Sequence, residues 1–426
     1  MNNNDIIFAL SSGAGRAGVA VIRVSGAGVA DVARQLIGAA DVRARHAYLR
    51  TLRDGADVID TCLVTYFPAP FSFTGEDVLE IAPHGAPAVV TRIFDFLRDR
   101  FGAHLATPGE FSRRAFYNGK MDLVDVDSLA ALLDARTERQ RQAAVRAVAG
   151  DGAIYENWRT QMIEISAYAA AMLDYNADDL PPDIADTVRG RIDKLYAELN
   201  DAISRYAAVR AVRSGFNIVI AGPTNAGKSS LFNRIVGTNR AIVSDIPGTT
   251  RDVVSAQIDI DGYLVNLSDT AGLRTTDDVI EQIGIEKTNS EIANADLILN
   301  LGACGGADNE IHVVNKADLI KAHDAPGAIY ISAKTGQGID ELMRVVREKM
   351  HAVLDGAEDS VSVNERTRTL VLDAAQNLSA AISAGDNYDI VAEHVRAAAD
   401  AIGRILGVIT VDEVLDATFS QLCLGK

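Results

Sequence analysis

Residues Gly222 to Ser229 read Gly-Pro-Thr-Asn-Ala-Gly-Lys-Ser, a spacing that suits one task, the cradling of a polyphosphate. Gly222 and Gly227 let the backbone approach a pyrophosphate. The N–H groups at the start of a following helix then face its oxygens. Lys228 is placed to reach the β- and γ-phosphates, and the Ser229 hydroxyl to ligate Mg²⁺. Asn225, Ala226 and Ser230 complete the cradle. Asn225 has a second possibility. Its carboxamide oxygen could hold a monovalent cation near the β–γ bridge, where an arginine finger would otherwise stabilise developing charge. A loop asparagine satisfying local N–H groups is equally compatible with the spacing.

Four more stretches follow in order. Gly248-Thr249-Thr250-Arg251 lies in a polar loop, where a threonine can ligate Mg²⁺ in the triphosphate state. Asp269-Thr270-Ala271-Gly272 follows the strand-like Leu264 to Ser268. Asp269 is expected to hold Mg²⁺ through water, and the Gly272 N–H to meet the γ-phosphate. Asn315-Lys316-Ala317-Asp318 follows His312 to Val314. The Asp318 carboxylate can accept from N1–H and the 2-amino group of guanine, which adenine does not offer. Ser332-Ala333-Lys334 supplies a backbone N–H for guanine O6. Each tetrapeptide is weak alone; their order and spacing together predict a GTP hydrolase. Many such enzymes place Gln after Asp-x-x-Gly to orient the attacking water, but here the residue is Leu273, which can neither donate nor accept. Acidic residues follow at Asp277, Asp278, Glu281 and Glu286, and pattern alone does not choose among them.

The elements around these loops have the required form. Phe216 to Ala221 is apolar and β-branched, as a buried parallel strand should be, and Ser229 to Val236 reads as a helix start. Upstream, Ile6 to Leu10, Val19 to Val24, Ile59 to Phe67 and Val78 to Ile81 are strand-like, and Val29 to Ile37 and Val89 to Leu97 are helical. Arg23 and Glu80 interrupt apolar runs; by pattern they read more readily as outward-facing strand residues than as a site. From Asp122 the periodicity becomes helical. A first helix is expected to stop near Gly150-Asp151-Gly152, a second to run on from Ile154, and a third stripe to extend from Val188 to Val209. Helices resume after the acidic stretch 355–360, and Thr410-x-x-Glu413 reads as a capping box.

The fold class is therefore multidomain α/β plus α: an N-terminal α+β domain (1–120), helical segments at 121–213 and 356–426 packing as one discontinuous bundle, and a Ras-like P-loop domain (214–355) inserted between them. The net charge of −17 excludes a global nucleic-acid footprint, so a polyanion partner needs a local basic patch or a second protein. Three scattered cysteines argue for a reducing compartment. The absence of a signal-like start or a long apolar run argues for a cytoplasmic protein without a membrane span.

The combination of motifs resembles the MnmE (TrmE) family of tRNA-modifying GTPases over essentially the whole chain. Carrying stretches are Gly18-Val19-Ala20-Val21-Ile22-Arg23-Val24-Ser25-Gly26, Phe73-Thr74-Gly75-Glu76-Asp77-Val78-Leu79-Glu80 and Pro108-Gly109-Glu110-Phe111-Ser112-x-Arg114-Ala115-Phe116. Asn225 to Ser230, Asp245-Ile246-x-Gly248-Thr249-Thr250-Arg251-Asp252, Asp269 to Arg274 and the tail Cys423-Leu424-Gly425-Lys426 complete them.

The resemblance implies a folate-binding N-terminal domain that also forms a homodimer, with Arg23, Glu80, Lys120 and Lys426 contacting a 5-formyl- or 5,10-methylene-tetrahydrofolate. It implies Mg²⁺ on Ser229 and Thr250, and K⁺ on Asn225, Ser244, Ile246 and Thr249 in a loop that also carries Asp245 against GTP. It assigns the water-orienting role to Glu281, and to Cys423 a role in modification but not hydrolysis. G domains of the family pair on binding GTP and K⁺. A flavin- and NADH-using partner, in a heterotetramer, joins them to add aminomethyl or carboxymethylaminomethyl groups at C5 of the tRNA wobble uridine. The chain departs from the family at Pro223-Thr224, where a basic residue and a proline are usual, at Ser11-Ser12-Gly13-Ala14 and at His84-Gly85-Ala86. A ribosome-assembly or RNA-binding switch GTPase is the alternative, but its basic appendage is not evident. A folate-dependent aminomethyltransferase with a vestigial G domain is opposed by the intact nucleotide motifs.

Overall fold

The computed structural model describes residues 5–174, 182–242, 254–270, 291–302, 307–320, 325–354, 356–357, 360–361 and 363–407. The chain forms two compact units, residues 1–130 with 402–426, and residues 131–401.

In the first unit, strands β1 (Ile7–Leu10), β2 (Ile22–Ser25), β3 (Ala47–Asp54), β4 (Asp57–Phe67), β5 (Val78–Ala82) and β6 (His104–Leu105) form one sheet in the order β3-β4-β5-β2-β1-β6. All neighbours are antiparallel except β1 and β6. Helices α1 (Val29–Ile37) and α2 (Pro87–Phe101) bury Val29, Val32, Ile37, Ile93 and Leu97 into a core shared with Ile22, Val24, Val64, Leu79 and Ile81. A short α3 (Glu110–Tyr117) follows, and α4 (Leu123–Asp134) leads out of the unit. The strand expected from Val19 begins later, at Ile22. Ala17 and Ala20 instead donate to Gly85 O and Pro83 O, tying that stretch to the end of β5. Strand β3 escaped the sequence pattern because seven of its eight residues are exposed or only half-buried on an edge, with Leu49 63% exposed.

The second unit opens with α5 (Glu138–Asp174), one helix of 37 residues where two were expected. The break falls at Arg136-Thr137, where Gln140 Oε1 accepts from the Arg136 and Thr137 N–H groups and caps the helix start. Gly150 and Gly152 continue the helix. Each costs about 1 kcal/mol against alanine, but packing of Ala147, Asp151, Tyr155 and Trp158 into the bundle outweighs that penalty. Helices α6 (Ile184–Ser204) and α7 (Tyr206–Ser214) carry the predicted stripe, bent at Arg205.

Next comes a seven-stranded sheet of β7 (Phe216–Ala221), β8 (Arg240–Ile242), β9 (Val254–Ile260), β10 (Tyr263–Asp269), β11 (Leu297–Asn300), β12 (Glu310–Val314) and β13 (Ile329–Tyr330). Its order is β13-β12-β11-β7-β10-β9-β8. Strands β13 through β10 run parallel, and β9 and β8 add an antiparallel edge. Helices α8 (Lys228–Thr238) and α9 (Ile339–Leu354) cover it. Val209, Ala211 and Val212 of α7 share its core. Finally α10 (Glu365–Ser383) and α11 (Tyr388–Leu406) return to the helices, with α10 packed on α6. Asn364 and Thr367 form a reciprocal capping box at the start of α10. Residues on either side of the inserted sheet thus meet, as the unpaired apolar stripes demanded. Among the described residues no helix is long and apolar enough to cross a membrane.

Candidate functional site

In a parallel sheet the loops leaving the C-terminal strand ends collect on one edge, and the nucleotide motifs lie there. Between β7 and α8, Gly222 (φ 139°) and Gly227 (φ 93°) take backbone conformations that disfavour other residues. A Cβ on Gly227 would lie 2.2 Å from Asn315 Nδ2. The first intrahelical bond of α8 runs from Leu231 N to Gly227 O, so the N–H groups of Lys228, Ser229 and Ser230 are the helix-start donors a phosphate can take. Lys228, 7% exposed, donates from Nζ to the carbonyls of Gly222 (2.8 Å) and Pro223 (3.0 Å), which places its charge across the mouth of the loop.

Asp269 ends β10 fully buried and in register with Ile220 of β7. The Ser229 hydroxyl donates to its Oδ2 at 2.6 Å. These two residues, 40 positions apart, therefore converge beside the phosphate cradle, and a hydroxyl and carboxylate so placed fit a hard divalent cation. Thr270 Oγ1 donates to Ile220 O and fixes the chain as it leaves the strand.

The base-reading loops are tied to the P-loop. Asn315 Nδ2 donates to Ala226 O (3.1 Å), and its Oδ1 accepts from the Lys316 N–H (2.8 Å) and the Ala333 N–H (3.1 Å). Lys316 Nζ donates to Asn225 O at 2.8 Å. Asn225 and Lys316 are both left-handed, at φ 64°. Asp318 stands exposed beyond them in a 3-10 turn, Ala317–Leu319. Ser332 N donates to Gln337 O, closing the loop that carries Ser332, Ala333 and Lys334. Asn225, Lys228, Ser229, Asp269, Asn315 and the 332–334 loop are thus brought together. Ser244, Asp245, Ile246, Gly248, Thr249, Thr250, Ala271, Gly272, Leu273 and Glu281 lie outside the described residues, as do the other switch acids. Sequence reasoning missed that Asn315 is a tie between three loops. Its side-chain amide, able to donate and accept at once, was the available signal.

The N-terminal unit holds a second constellation. Arg23 on β2 and Glu80 on β5 are cross-strand partners. The guanidinium donates to Glu80 Oε1 from Nε (3.1 Å) and Nη2 (2.9 Å), with side chains 15% and 30% exposed. It also lies 4.7 Å from the Phe73 ring centroid and 6.0 Å from that of Phe111. Lys120 Nζ stands 5.9 Å from the Phe71 ring. Arg23, Glu80 and Lys120 therefore gather around the 71–76 loop; Lys426 and Cys423 lie outside the described residues.

A buried polar scaffold fixes that loop. Thr74 donates to Ser25 Oγ (2.7 Å), and Ser25 to Glu76 Oε2 (2.8 Å). Asn118 Nδ2 donates to Thr74 O at 2.7 Å. Arg114, 6% exposed, pairs with Asp5 (2.8 Å), Glu110 (3.0 Å) and Glu76 (3.3 Å). Burial works against its charge, but the surrounding carboxylates outweigh it and raise the Arg114 pKa. Phe73 and Phe111 were given no site role from the sequence, because no arginine is near Phe73 in the chain and only the fold brings Arg23 to it. Burial pushes the Cys62 thiol up to about 12, which marks it as a core residue rather than a nucleophile.

A glycine cradle after a central parallel strand, a Ser229–Asp269 hydroxyl–carboxylate pair beside it and an Asn-Lys-x-Asp loop tied to the cradle define a P-loop GTP hydrolase. The full chain says which kind. Residues 6–120 match the model of the GTP-binding protein TrmE N-terminus, and residues 123–423 match the MnmE helical domain. The tRNA modification GTPase MnmE of Rhizobium johnstonii is 40% identical over 99% of this chain and 99% of its own length. That of Parvibaculum lavamentivorans is 41% identical over 99% of this chain and 100% of its own. The chain belongs to the MnmE family. Among solved structures, the G domain of the T. maritima FeoB iron transporter covers 32% of this chain and 98% of its own at 24% identity, with a TM-score of 0.24, a likeness too slight to carry weight.

Proposed function

We propose that this GTP hydrolase drives a tRNA-modifying complex that adds aminomethyl or carboxymethylaminomethyl groups at C5 of the wobble uridine. The one-carbon unit comes from a tetrahydrofolate held in the N-terminal domain (1–120), and a flavin- and NADH-dependent partner protein supplies the redox chemistry in a heterotetramer. The helical segments (121–213 and 356–426) carry the G domain (214–355), and the protein works in the cytoplasm as a homodimer. The observation that carries this reading is the coexistence, in one chain, of the nucleotide cradle with the Arg23–Glu80 pair laid on Phe73. A charged hydrogen-bonding pair beside an aromatic face fits a flat heteroaromatic such as a pterin, which needs donors and acceptors along its edge and an apolar surface beneath. Lys120 is placed to meet an anionic substituent of such a ligand.

In hydrolysis, Lys228 would meet the β- and γ-oxygens, and Ser229 and Thr250 would hold Mg²⁺, which would supply positive charge to the phosphates. Asn225, with Ser244, Ile246 and Thr249, would hold K⁺, which would supply the positive charge that an arginine finger supplies elsewhere. Glu281 orients the water that Leu273 cannot. Pairing of two G domains would start hydrolysis and reposition the helical domain. Lys426 acts at the folate site, and Cys423 in modification but not in hydrolysis. The test is mass spectrometry of wobble uridines in tRNA from cells lacking the gene. Loss of the C5-aminomethyl class of nucleosides is expected, with return on complementation. An unchanged profile overturns the proposal.

A further inference from the structure

The 332–334 loop is gripped from behind by a residue that no nucleotide motif includes. Arg234 sits in the second turn of α8, half-buried. Its Nε donates to Ala333 O at 3.0 Å, and its Nη2 to Lys334 O at 2.7 Å. Two successive carbonyls are thus held by one rigid fork, which a lysine cannot reproduce.

The geometry has a directional result. In a planar trans peptide the C=O and N–H point to opposite edges. The Ala333 carbonyl turned toward Arg234 therefore aims the Lys334 N–H away from α8. The Ala333 N–H is already given to Asn315 Oδ1 at 3.1 Å, and the Thr335 N–H to Ser332 Oγ at 3.2 Å. Orientation of the peptide between Ala333 and Lys334 rests on the Arg234 fork.

We propose that Arg234 is a positioning residue for guanine selectivity: it aims the Lys334 N–H at O6 of the base. This rests on the reading of 332–334 as the O6-facing loop. Because α8 begins at the phosphate cradle, the same helix sets both the phosphate donors and the base-edge donor at a fixed separation.

Steady-state hydrolysis by the full chain, with GTP, 6-thio-GTP and ITP, tests it. Sulfur at position 6 is a weak acceptor and leaves N1–H and the 2-amino group intact; ITP lacks only the 2-amino group, which Asp318 reads. For Arg234→Ala the preference for GTP over 6-thio-GTP should fall about fivefold through KM, with kcat within about twofold and the preference for GTP over ITP unchanged. Arg234→Lys should fall between wild type and Ala. If Ala does not fold, as judged by its melting curve, Lys carries the test with a loss of about twofold. An unchanged preference, or equal loss of both preferences, overturns the proposal. A wild-type enzyme indifferent to 6-thio substitution overturns the O6 assignment itself, and the proposal with it.

Discussion

The two candidate sites are built by opposite means. The nucleotide cradle is mostly backbone, shaped by glycines at φ 139° and 93° and by the first turn of a helix. The N-terminal constellation is mostly side chain, assembled by antiparallel register that sets Arg23 opposite Glu80, 57 positions away. A backbone site needs contiguous residues of special conformation and so leaves a compact signature. A side-chain site can draw each member from a different strand and leaves almost none.

The difference can be broken at its strongest point first. Lys228→Ala should lower GTP hydrolysis by about 10³-fold or more, since the P-loop ammonium is removed where charge develops, while folate binding stays unchanged. Phosphate release and equilibrium binding of a radiolabelled tetrahydrofolate measure the two. Arg23→Ala reverses the pattern. Folate affinity should fall about 30-fold and modification should be lost, with hydrolysis within about twofold of wild type. Parallel loss of both activities would show that the sites are not separate. If Asn225 helps to hold K⁺ as proposed, replacing K⁺ with Na⁺ at equal ionic strength should slow hydrolysis about tenfold; equal rates would remove that assignment.

The smallest effect lies in the N-terminal sheet. Asp60 accepts from the His84 N–H and lies 2.8 Å from His84 Nδ1. Burial works to raise its pKa, but these hydrogen bonds outweigh it and hold the carboxyl below its ordinary value. A depressed folded-state pKa contributes stability that is complete above about pH 4 and fades as pH falls through the folded value. Asp60→Asn should therefore flatten the acid limb of thermal stability below about pH 4, read by melting curves of the two proteins. Identical acid limbs would assign the sensitivity elsewhere.

What the sequence disclosed follows the same division. Strand β7, the loop and α8 were legible because apolar run, glycine and Lys-Ser occur in succession. Arg23 and Glu80 looked like outward strand residues, since a pattern of period two cannot show which strands become neighbours. Only resemblance to a family drew them into one site. Gly150-Asp151-Gly152 misled for a related reason. Local propensity favoured a break, while the burial of Asp151 and Tyr155, which carries the helix through, is a tertiary fact. The cap that does start the helix is a capping box, Thr137-x-x-Gln140, with Gln140 accepting from the Arg136 and Thr137 N–H groups; the signal was in the sequence, overshadowed by the glycines.

Helix α5 gains a further meaning from where its first turn rests. Arg139 N donates to Gly262 O at the tip of the β9–β10 hairpin, and the Arg139 guanidinium stacks 5.2 Å from the Tyr263 ring. That hairpin connects the strand entered after the Thr249-Thr250 loop to the strand that ends at Asp269. A helix of 37 residues is about 55 Å long. A tilt of one degree at Gly262 would therefore sweep the far end through about 1 Å, the geometry of a lever with α5 as its long arm.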